Sequence, residues 1–274
     1  MIDLHTHLLP GIDDGSTSLE QSLQMAQIAV ADGITVMACT PHIYPGLYMN
    51  DAAGITAGRD KLQSHLNEAG IKLRLVVGAD AHLVPELLSG LQSGRVPTLN
   101  QSQYFLLEPS HHVAVPNFDS SVFEIMVAGY MPVITHPERL TWIEDHYPMF
   151  VDLAKRGVWL QVTSGAILGK FGKRAKYWSE RLLSEGWVHI IASDAHNTGR
   201  RSPQMAEALE HVIKRVGKRE AMRMVLDRPL AILNNVSPDR TKPVLGLLNK
   251  PPESDSVSIW RHPISRIRTF FQKD

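Results

Sequence analysis

Short apolar runs alternate along the chain with longer segments whose apolar residues recur at helical spacing. The runs are rich in Val, Ile and Leu with little polar alternation, which is typical of parallel strands buried on both faces. They predict seven strands, at 2–6, 34–39, 71–78, 103–108, 131–135, 158–163 and 188–193. The other segments predict helices at 18–32, 57–69, 119–128, 147–156 and 173–185, and then at 203–216, 218–226 and 228–234.

Repeated strand–helix units predict a parallel α/β fold. Seven strands are one fewer than a regular barrel has, so a distorted (β/α)7 TIM-like barrel is the first interpretation and a doubly wound open sheet the second. In both folds the active site lies at the carboxyl ends of the strands. Residues 237–274 contain five prolines and no long apolar period. We therefore predict a barrel domain at 1–236 and a weakly ordered C-terminal tail at 237–274, with a docking segment as the alternative for the tail.

Composition narrows the classes of function. The chain has 28 basic and 28 acidic residues and no net charge, which argues against a nucleic-acid-binding protein. Its single cysteine, Cys39, cannot form an internal disulfide and fits a reducing compartment. No signal peptide and no long apolar run are recognisable. We expect a soluble cytoplasmic protein without a transmembrane segment, and the sequence leaves its oligomeric state open.

Metal-ligating residue types stand at the ends of six of the seven predicted strands. They are His5 and His7, His42, Asp80, Glu108, His136, and Asp194 with His196, and Asp14 lies in a turn just past His7. Residues i and i+2 of a strand point to the same face, so His5 with His7 and Asp194 with His196 can reach one cluster. Mixed imidazole and carboxylate ligands suit Mn, Fe or Zn. Six strands supply more ligands than one ion uses, so the sequence predicts two or three divalent metal ions.

Two positions near these ligands carry arginines that suit phosphate. Arg139 follows His136, and the pair Arg200 and Arg201 follows His196. A guanidinium group can bind phosphate oxygens through two parallel hydrogen bonds. Cys39 lacks the arginine six positions on that a cysteine phosphatase loop requires, and we interpret it as a small buried residue. The remaining inner histidines are interpreted as structural residues: His82, His111, His112, His146 and His189.

Five short motifs together resemble the PHP (polymerase and histidinol phosphatase) superfamily. They are Asp3-Leu4-His5-Thr6-His7, Asp13-Asp14-Gly15, Thr40-Pro41-His42, Thr135-His136-Pro137-Glu138-Arg139 and Ser193-Asp194-Ala195-His196-Asn197. Over residues 1–235 the chain is most similar to the bacterial tyrosine phosphatases encoded with capsule and exopolysaccharide genes. The resemblance implies a distorted (β/α)7 barrel of the PHP type that holds three metals, often manganese.

The resemblance also implies a role for each matched residue. One metal would be bound by His5, His7, Asp80 and Asp194, a second by Asp80, Glu108 and His136, and the third by Asp14, His42 and His196. Arg139 and Arg201 would bind the phosphate, and Arg201 is preferred over Arg200 because it lies five positions past His196. The chain departs from the pattern at Asp80, where the similar phosphatases usually carry Glu.

The leading hypothesis is a metal-dependent protein-tyrosine phosphatase in which a metal-bound hydroxide attacks phosphorus. The resemblance implies a tyrosine-phosphorylated autokinase of capsule or exopolysaccharide biosynthesis as its partner. One alternative is the same chemistry on a small molecule such as histidinol phosphate or on a nucleic-acid phosphodiester, the latter disfavoured by the zero net charge. Another is a metal-stabilised binding module without turnover.

Overall fold

A computed structural model describes residues 1–248 of the chain. Within this range the strands are β1 Ile2–Thr6, β2 Val36–Cys39, β3 His42–Tyr44, β4 Tyr48–Met49, β5 Arg74–Val77, β6 Asp80–His82, β7 Tyr104–Glu108, β8 Met131–Ile134, β9 Trp159–Thr163 and β10 Ile190–Ala192. All seven predicted strands are present. The sequence did not predict β3 and β6, which extend two of them, or β4, which pairs with β3 in an antiparallel hairpin.

The strands form one closed ring, because β2 continues along the chain into β3 and β5 continues into β6. Neighbours in this ring follow chain order. One sheet has the order β1-β2-β5 and the other the order β10-β9-β8-β7-β6-β3-β4, and every pair except β3 with β4 is parallel. The ring closes beside β1, where Thr6 bridges in parallel to Ala195 and the His7 amide donates to the Ala195 carbonyl over 2.8 Å. This arrangement confirms the distorted (β/α)7 barrel and excludes the open sheet.

Two of the barrel strands bend at their midpoints, and these bends direct side chains toward the site. The second barrel strand is broken between β2 and β3 at Pro41, which has no amide hydrogen to give to the ladder. The third barrel strand is broken between β5 and β6 at Gly78, where an added Cβ would lie 2.8 Å from Leu99 and 2.9 Å from Thr40. Beyond the bends, His42 pairs in register with Asp80.

Helices cover the outside of the barrel. In this part of the chain they are α1 Leu19–Ala31, α2 Ala52–Glu68, α3 Leu87–Gln92, α4 Phe118–Val127, α5 Ile143–Lys155, α6 Ser164–Ile167, α7 Gly172–Ser184, α8 Ala206–Val216, α9 Lys218–Met222, α10 Arg228–Leu233 and α11 Leu245–Leu248. A π-helical turn, Arg223–Asp227, joins α9 to α10. Among the described residues, no helix is both long enough and apolar enough to span a bilayer.

Apolar side chains fill the barrel below its carboxyl-terminal edge. Tyr104 and Leu106 are completely buried and share one face of β7 with Glu108. Together with Val133 and Trp159 they belong to one buried apolar cluster. Burial of these apolar side chains therefore stabilises the barrel below the edge that carries the candidate ligands.

The first part of the predicted tail packs against the barrel. Val244 is buried, and the Gly246 amide donates to the Gly186 carbonyl over 3.0 Å. The buried Arg228 guanidinium donates to the carbonyls of Lys242 and Pro243 over 3.4 and 3.3 Å. Residues 249–274, the rest of the predicted tail, lie outside the described residues, and the boundary at 236 stays a prediction.

Candidate metal centre

The carboxyl-terminal edge of the barrel gathers imidazoles and carboxylates into one continuous cluster. Four groups have ligand atoms that all lie within 4.8 Å of one another: His5, His7 and Asp80; His7, Asp14, His42 and His196; His42, His82 and Glu108; and Glu108, His111 and His136. Neighbouring groups share a residue, so one cluster offers several overlapping positions to a cation.

β1 places two imidazoles at the centre of this cluster. His5 Nε2 lies 3.3 Å from His7 Nε2 and 3.3 Å from Asp80 Oδ2. The Asp194 Oδ1 atom lies 3.4 Å from the Nε2 atoms of both rings. All four side chains are at most 1% exposed.

The outer nitrogens of the same two rings are held by neighbouring polar groups. His5 Nδ1 lies 2.7 Å from Gln161 Oε1 on β9, and His7 Nδ1 lies 2.7 Å from Asp13 Oδ2. An acceptor at Nδ1 fixes the ring orientation and leaves Nε2 free to bind a metal. Asp13 also accepts a 3.1 Å hydrogen bond from the His42 amide, which links this support to β3.

Asp14 forms the open side of the cluster. Its Oδ1 atom lies 3.4 Å from His42 Nε2 and 3.3 Å from His196 Nε2, and its side chain is 45% exposed. The turn that carries Asp14 packs directly against β1, because a Cβ at Gly15 would lie only 2.3 Å from the His7 carbonyl oxygen. Only glycine allows this close approach, which places Asp14 beside the two imidazoles.

Glu108, at the end of β7, is surrounded by four imidazoles. Its Oε2 atom lies 3.1 Å from His42 Nδ1 and also contacts His82 Nε2. Its Oε1 atom lies 3.1 Å from His111 Nε2 and 3.6 Å from His136 Nε2. His82 and His111, interpreted from the sequence as structural residues, therefore contact a residue of the predicted cluster.

Two arginines meet the buried carboxylate of Asp194. Arg139 Nη1 and Arg201 Nη2 both donate to its Oδ2 atom, the latter over 2.7 Å. Phe171 lies beneath both guanidinium groups, 4.5 Å and 5.9 Å from their central carbons. Arg200 is directed elsewhere and donates to the Lys170 carbonyl over 2.6 Å, so the geometry favours Arg201 over Arg200.

Two of the candidate ligands have strained backbones. Asp194 has a φ of 53° and His136 a φ of 34°, in the left-handed region that residues other than glycine rarely occupy. Such conformations cost on the order of 1–3 kcal/mol each and are concentrated at functional sites.

Electrostatic coupling at the centre is strong. Burial by itself would raise the pKa of Asp194, but His5, Arg201 and Arg139 outweigh burial and hold that pKa well below its ordinary range. Burial would lower the pKa of His5, but the carboxylates of Asp80 and Asp194 raise it to about 10. A cation at His5 would therefore replace a proton that the carboxylates otherwise hold there.

Two other imidazoles are neutral at neutral pH. Burial, followed by the positive charge of Arg139, holds the pKa of His136 well below its ordinary range. Burial, followed by the charge of His7, lowers the pKa of His196 to about 4. The neutral imidazole is the form that ligates a metal.

The donor set fits divalent metal ions. Buried Asp80 Oδ2, His42 Nδ1 and His196 Nε2 make no hydrogen bond, although each faces other ligand-type atoms. Buried polar atoms without a partner are costly and rare, and cations bound at the overlapping positions of the cluster would give these atoms partners.

Cys39 is not part of the site. It is a free, buried thiol, and burial raises its pKa to about 12. A thiol that stays protonated at neutral pH is a poor nucleophile, in agreement with its interpretation as a small buried residue.

The structure brings together every residue that the sequence predicted for the site. The nine candidate ligands and two arginines are His5, His7, Asp14, His42, Asp80, Glu108, His136, Asp194, His196, Arg139 and Arg201, and each contacts at least one other member. Their assignment to individual metals stays a prediction. Sequence reasoning did not consider Gln161, named Asp13 only as part of the Asp13-Asp14-Gly15 motif, and interpreted His82 and His111 as structural residues. For His82 a signal was available, because the Asp80-x-His82 spacing is the same as that of Asp194-x-His196.

Comparison with known sequences identifies the relatives of the chain. Residues 1–234 match the family model described as capsular polysaccharide synthesis, CpsB/CapC. The chain is 35% identical to the tyrosine-protein phosphatase YwqE of Bacillus subtilis over 245 residues, 89% of this chain and 95% of that protein. It is 28% identical to the tyrosine-protein phosphatase CpsB of Streptococcus pneumoniae, over 85% of this chain and 98% of that protein.

Solved structures agree with these relatives. A crystal structure from work on YwqE of Bacillus subtilis and CpsB of Streptococcus pneumoniae, described as unique metal-dependent tyrosine phosphatases, superposes with a TM-score of 0.82 at 33% identity. It covers 86% of this chain and 96% of that one. A histidinol phosphate phosphatase from Lactococcus lactis shares the fold, with a TM-score of 0.52 at 12% identity, over 78% of this chain and 94% of that one.

Proposed function

We propose, for a chain that belongs to the CpsB/CapC family of capsular polysaccharide synthesis proteins, that it is a metal-dependent protein-tyrosine phosphatase. The observation that carries this function is the meeting of Arg139 and Arg201 at Asp194, inside the cluster of metal-type ligands. A phosphate monoester dianion needs positive charge on several sides, and this arrangement places two guanidinium groups beside the positions open to cations.

The proposed ligands divide among three metals. His5, His7, Asp80 and Asp194 would hold the first, and Asp80 would share the second with Glu108 and His136. The third would be held by Asp14, His42 and His196, with Mn as the expected ion and Fe or Zn as alternatives. Divalent ions in such sites supply Lewis-acid charge and activate a water molecule as nucleophile.

Two arginines of the chain are the proposed phosphate-binding residues. The planar forks of Arg139 and Arg201 would hold the equatorial phosphoryl oxygens and stabilise the charge that develops on them. Phe171 stacks under both guanidinium groups and fixes their position. The leaving phenol has a pKa of about 10, so it departs with less help from a proton donor than a serine alkoxide would need.

The substrate we propose is a tyrosine-phosphorylated protein, specifically an autokinase of capsule or exopolysaccharide synthesis, acting in the cytoplasm. The rim of the site supports a polypeptide substrate. Tyr44 is 37%, Leu47 63% and Met49 77% exposed, and all three lie on the hairpin that follows His42. Apolar side chains at the mouth of the site would contact residues that flank the phosphotyrosine.

A substrate panel tests this function. The metal-replete chain should have a much higher kcat/KM for a phosphotyrosine peptide than for a phosphoserine peptide or histidinol phosphate, and chelation should abolish turnover. His136→Ala should remove activity, whereas His146→Ala should not, because His146 hydrogen-bonds to the Trp142 carbonyl and packs against the Trp142 ring, and it is not among the candidate ligands. A preference for histidinol phosphate would replace the proposed substrate, and turnover that survives chelation would refute the metal mechanism.

A further inference from the structure

We infer that His82 and His111 are additional metal ligands, one beside each carboxylate oxygen of Glu108, which make the two positions that share Glu108 rich in nitrogen donors. This inference rests on the metal centre proposed above and extends it. In this structure the two residues add two imidazoles to the nine ligands that the resemblance implies.

His82 is held with its Nε2 atom against Glu108. It is the last residue of β6, on the same strand face as Asp80, and it pairs in register with Glu108 of β7. Its Nε2 atom contacts Glu108 Oε2. The Tyr44 ring stacks on its other side, with 4.1 Å between ring centroids and 9° between planes, so both its direction and its tilt are fixed.

His111 approaches the other oxygen of the same carboxylate. Its Nε2 atom lies 3.1 Å from Glu108 Oε1, and His136 Nε2 lies 3.6 Å from that atom. The His111 carbonyl accepts hydrogen bonds from the amide and hydroxyl of Thr141 over 2.9 and 3.1 Å. These bonds anchor the loop that carries the ring.

The spacing of these atoms suits coordination. The ligand atoms of His42, His82 and Glu108 lie within 4.8 Å of one another, as do those of Glu108, His111 and His136. Donors that share one ion at about 2.0–2.2 Å must lie about this close together. His42 Nδ1 is buried without a hydrogen bond, so the first group already contains a nitrogen without a partner.

The added imidazoles change which metal these two positions prefer. Imidazole nitrogen suits Zn and Co, whereas carboxylate oxygen suits Mn and Mg. The chain also carries Asp80 where similar phosphatases usually carry Glu, and His82 stands on the same strand face as this shorter side chain. We therefore expect the full chain to bind Zn²⁺ and Co²⁺ more tightly, relative to Mn²⁺, than variants without the two imidazoles.

Metal titrations of the chelator-stripped full chain test this inference without any measurement of activity. His82→Phe keeps a ring for Tyr44 to stack on and removes the nitrogen donor, and His111→Asn removes the second imidazole. Each should weaken Zn²⁺ and Co²⁺ binding at least tenfold, change the visible spectrum of bound Co²⁺, and leave Mn²⁺ affinity within threefold. His112→Ala is the matched control, since His112 is exposed and adjacent to His111.

The possible outcomes separate the inference from the proposed function. An equal loss of affinity for Zn²⁺ and Mn²⁺, or an unchanged Co²⁺ spectrum, would overturn the inference, because loss of a residue that only hydrogen-bonds to Glu108 affects the binding of every metal alike. The proposed function would stand in that case. A wild-type chain that binds no metal would overturn both. If a variant does not fold, chemical modification of histidines in the wild-type chain tests the inference instead. Bound Zn²⁺ should protect His82 and His111 from modification but not His112. An absence of protection at His82 and His111 would overturn the inference.

Discussion

At the scale of single residues, Asp194 connects the two halves of the proposed site. One of its oxygens faces the imidazoles of His5 and His7, and the other accepts from Arg139 and Arg201. Its backbone has a left-handed φ of 53°, a conformation that residues other than glycine rarely adopt. In the proposed site, metal binding and phosphate binding would therefore meet at one buried side chain.

The arginine fork can be tested by a change that keeps the charge. Arg139→Lys retains a cation but loses the planar pair of donors, which should cost on the order of 2 kcal/mol in the transition state, or roughly 30-fold in kcat/KM. The loss should be equal for phosphotyrosine peptides and small aryl phosphates, and metal content should not change. Arg200→Lys is the matched control and should leave the rate unchanged.

Two results would contradict this assignment of Arg139. A loss confined to peptides would mean that Arg139 contacts the polypeptide and not the phosphoryl group. A large loss for Arg200→Lys would mean that Arg200, and not only Arg201, reaches the substrate.

The sequence predicted the inner candidate ligands because of their spacing at strand ends, and it missed the other residues that contact them. His5 and His7 form a two-residue pattern that a strand converts into one cluster. Gln161 lies mid-strand on β9 and could be recognised only after the folded barrel brought its Oε1 atom within 2.7 Å of His5. His82 and His111 looked like isolated histidines, because their common partner, Glu108, is 26 and three residues away in the sequence.

At the scale of elements, apolar runs predicted every barrel strand but not their bends. The breaks at Pro41 and Gly78 depend on a missing amide hydrogen and on contacts with Leu99 and Thr40, which only the assembled barrel contains. The short helices α3 and α6 were missed for a related reason. With six and four residues, they are too short to show a helical period.

β10 offers a test of how burial couples stability to pH. His189, just before this strand, stacks on Trp159 with 5.3 Å between ring centroids, and its Nδ1 atom accepts from the Leu160 amide over 3.1 Å. Burial, followed by the nearby charge of Arg228, lowers its pKa to about 3. The unfolded chain takes up a proton near pH 6.5 while the folded chain does not, so this contribution to stability is complete above that pH and declines below it.

The size of this effect follows from the two pKa values. Between pH 8 and pH 5.5 His189 should lower the free energy of unfolding by about 1.4 kcal/mol. Denaturant unfolding of the wild type and of His189→Asn, which keeps an acceptor for the Leu160 amide, measures the difference directly. If the two proteins show parallel pH profiles, His189 is not held neutral by burial.

At the scale of the whole molecule, the candidate metal centre and residues 237–248 lie at opposite ends of the barrel. The candidate ligands follow the carboxyl ends of the strands. Arg228 instead donates to the His189 carbonyl at the start of β10 and to carbonyls of the segment after residue 236. Loss of that segment should therefore change stability and leave the site intact.

Two truncations separate stability from catalysis. A chain that ends at Leu248 keeps every contact described here and should match the full chain in kcat/KM for a small aryl phosphate and in thermal stability.

A chain that ends at Val236 loses the buried Val244 side chain, worth about 1.5–3 kcal/mol, and the carbonyl partners of the buried Arg228. It should unfold at a lower temperature but keep a kcat/KM within about twofold below its melting point, because no proposed ligand is removed. A large loss of rate in a still-folded Val236 truncation would show that this segment reaches the site, and a loss already present in the Leu248 truncation would assign that role to residues 249–274.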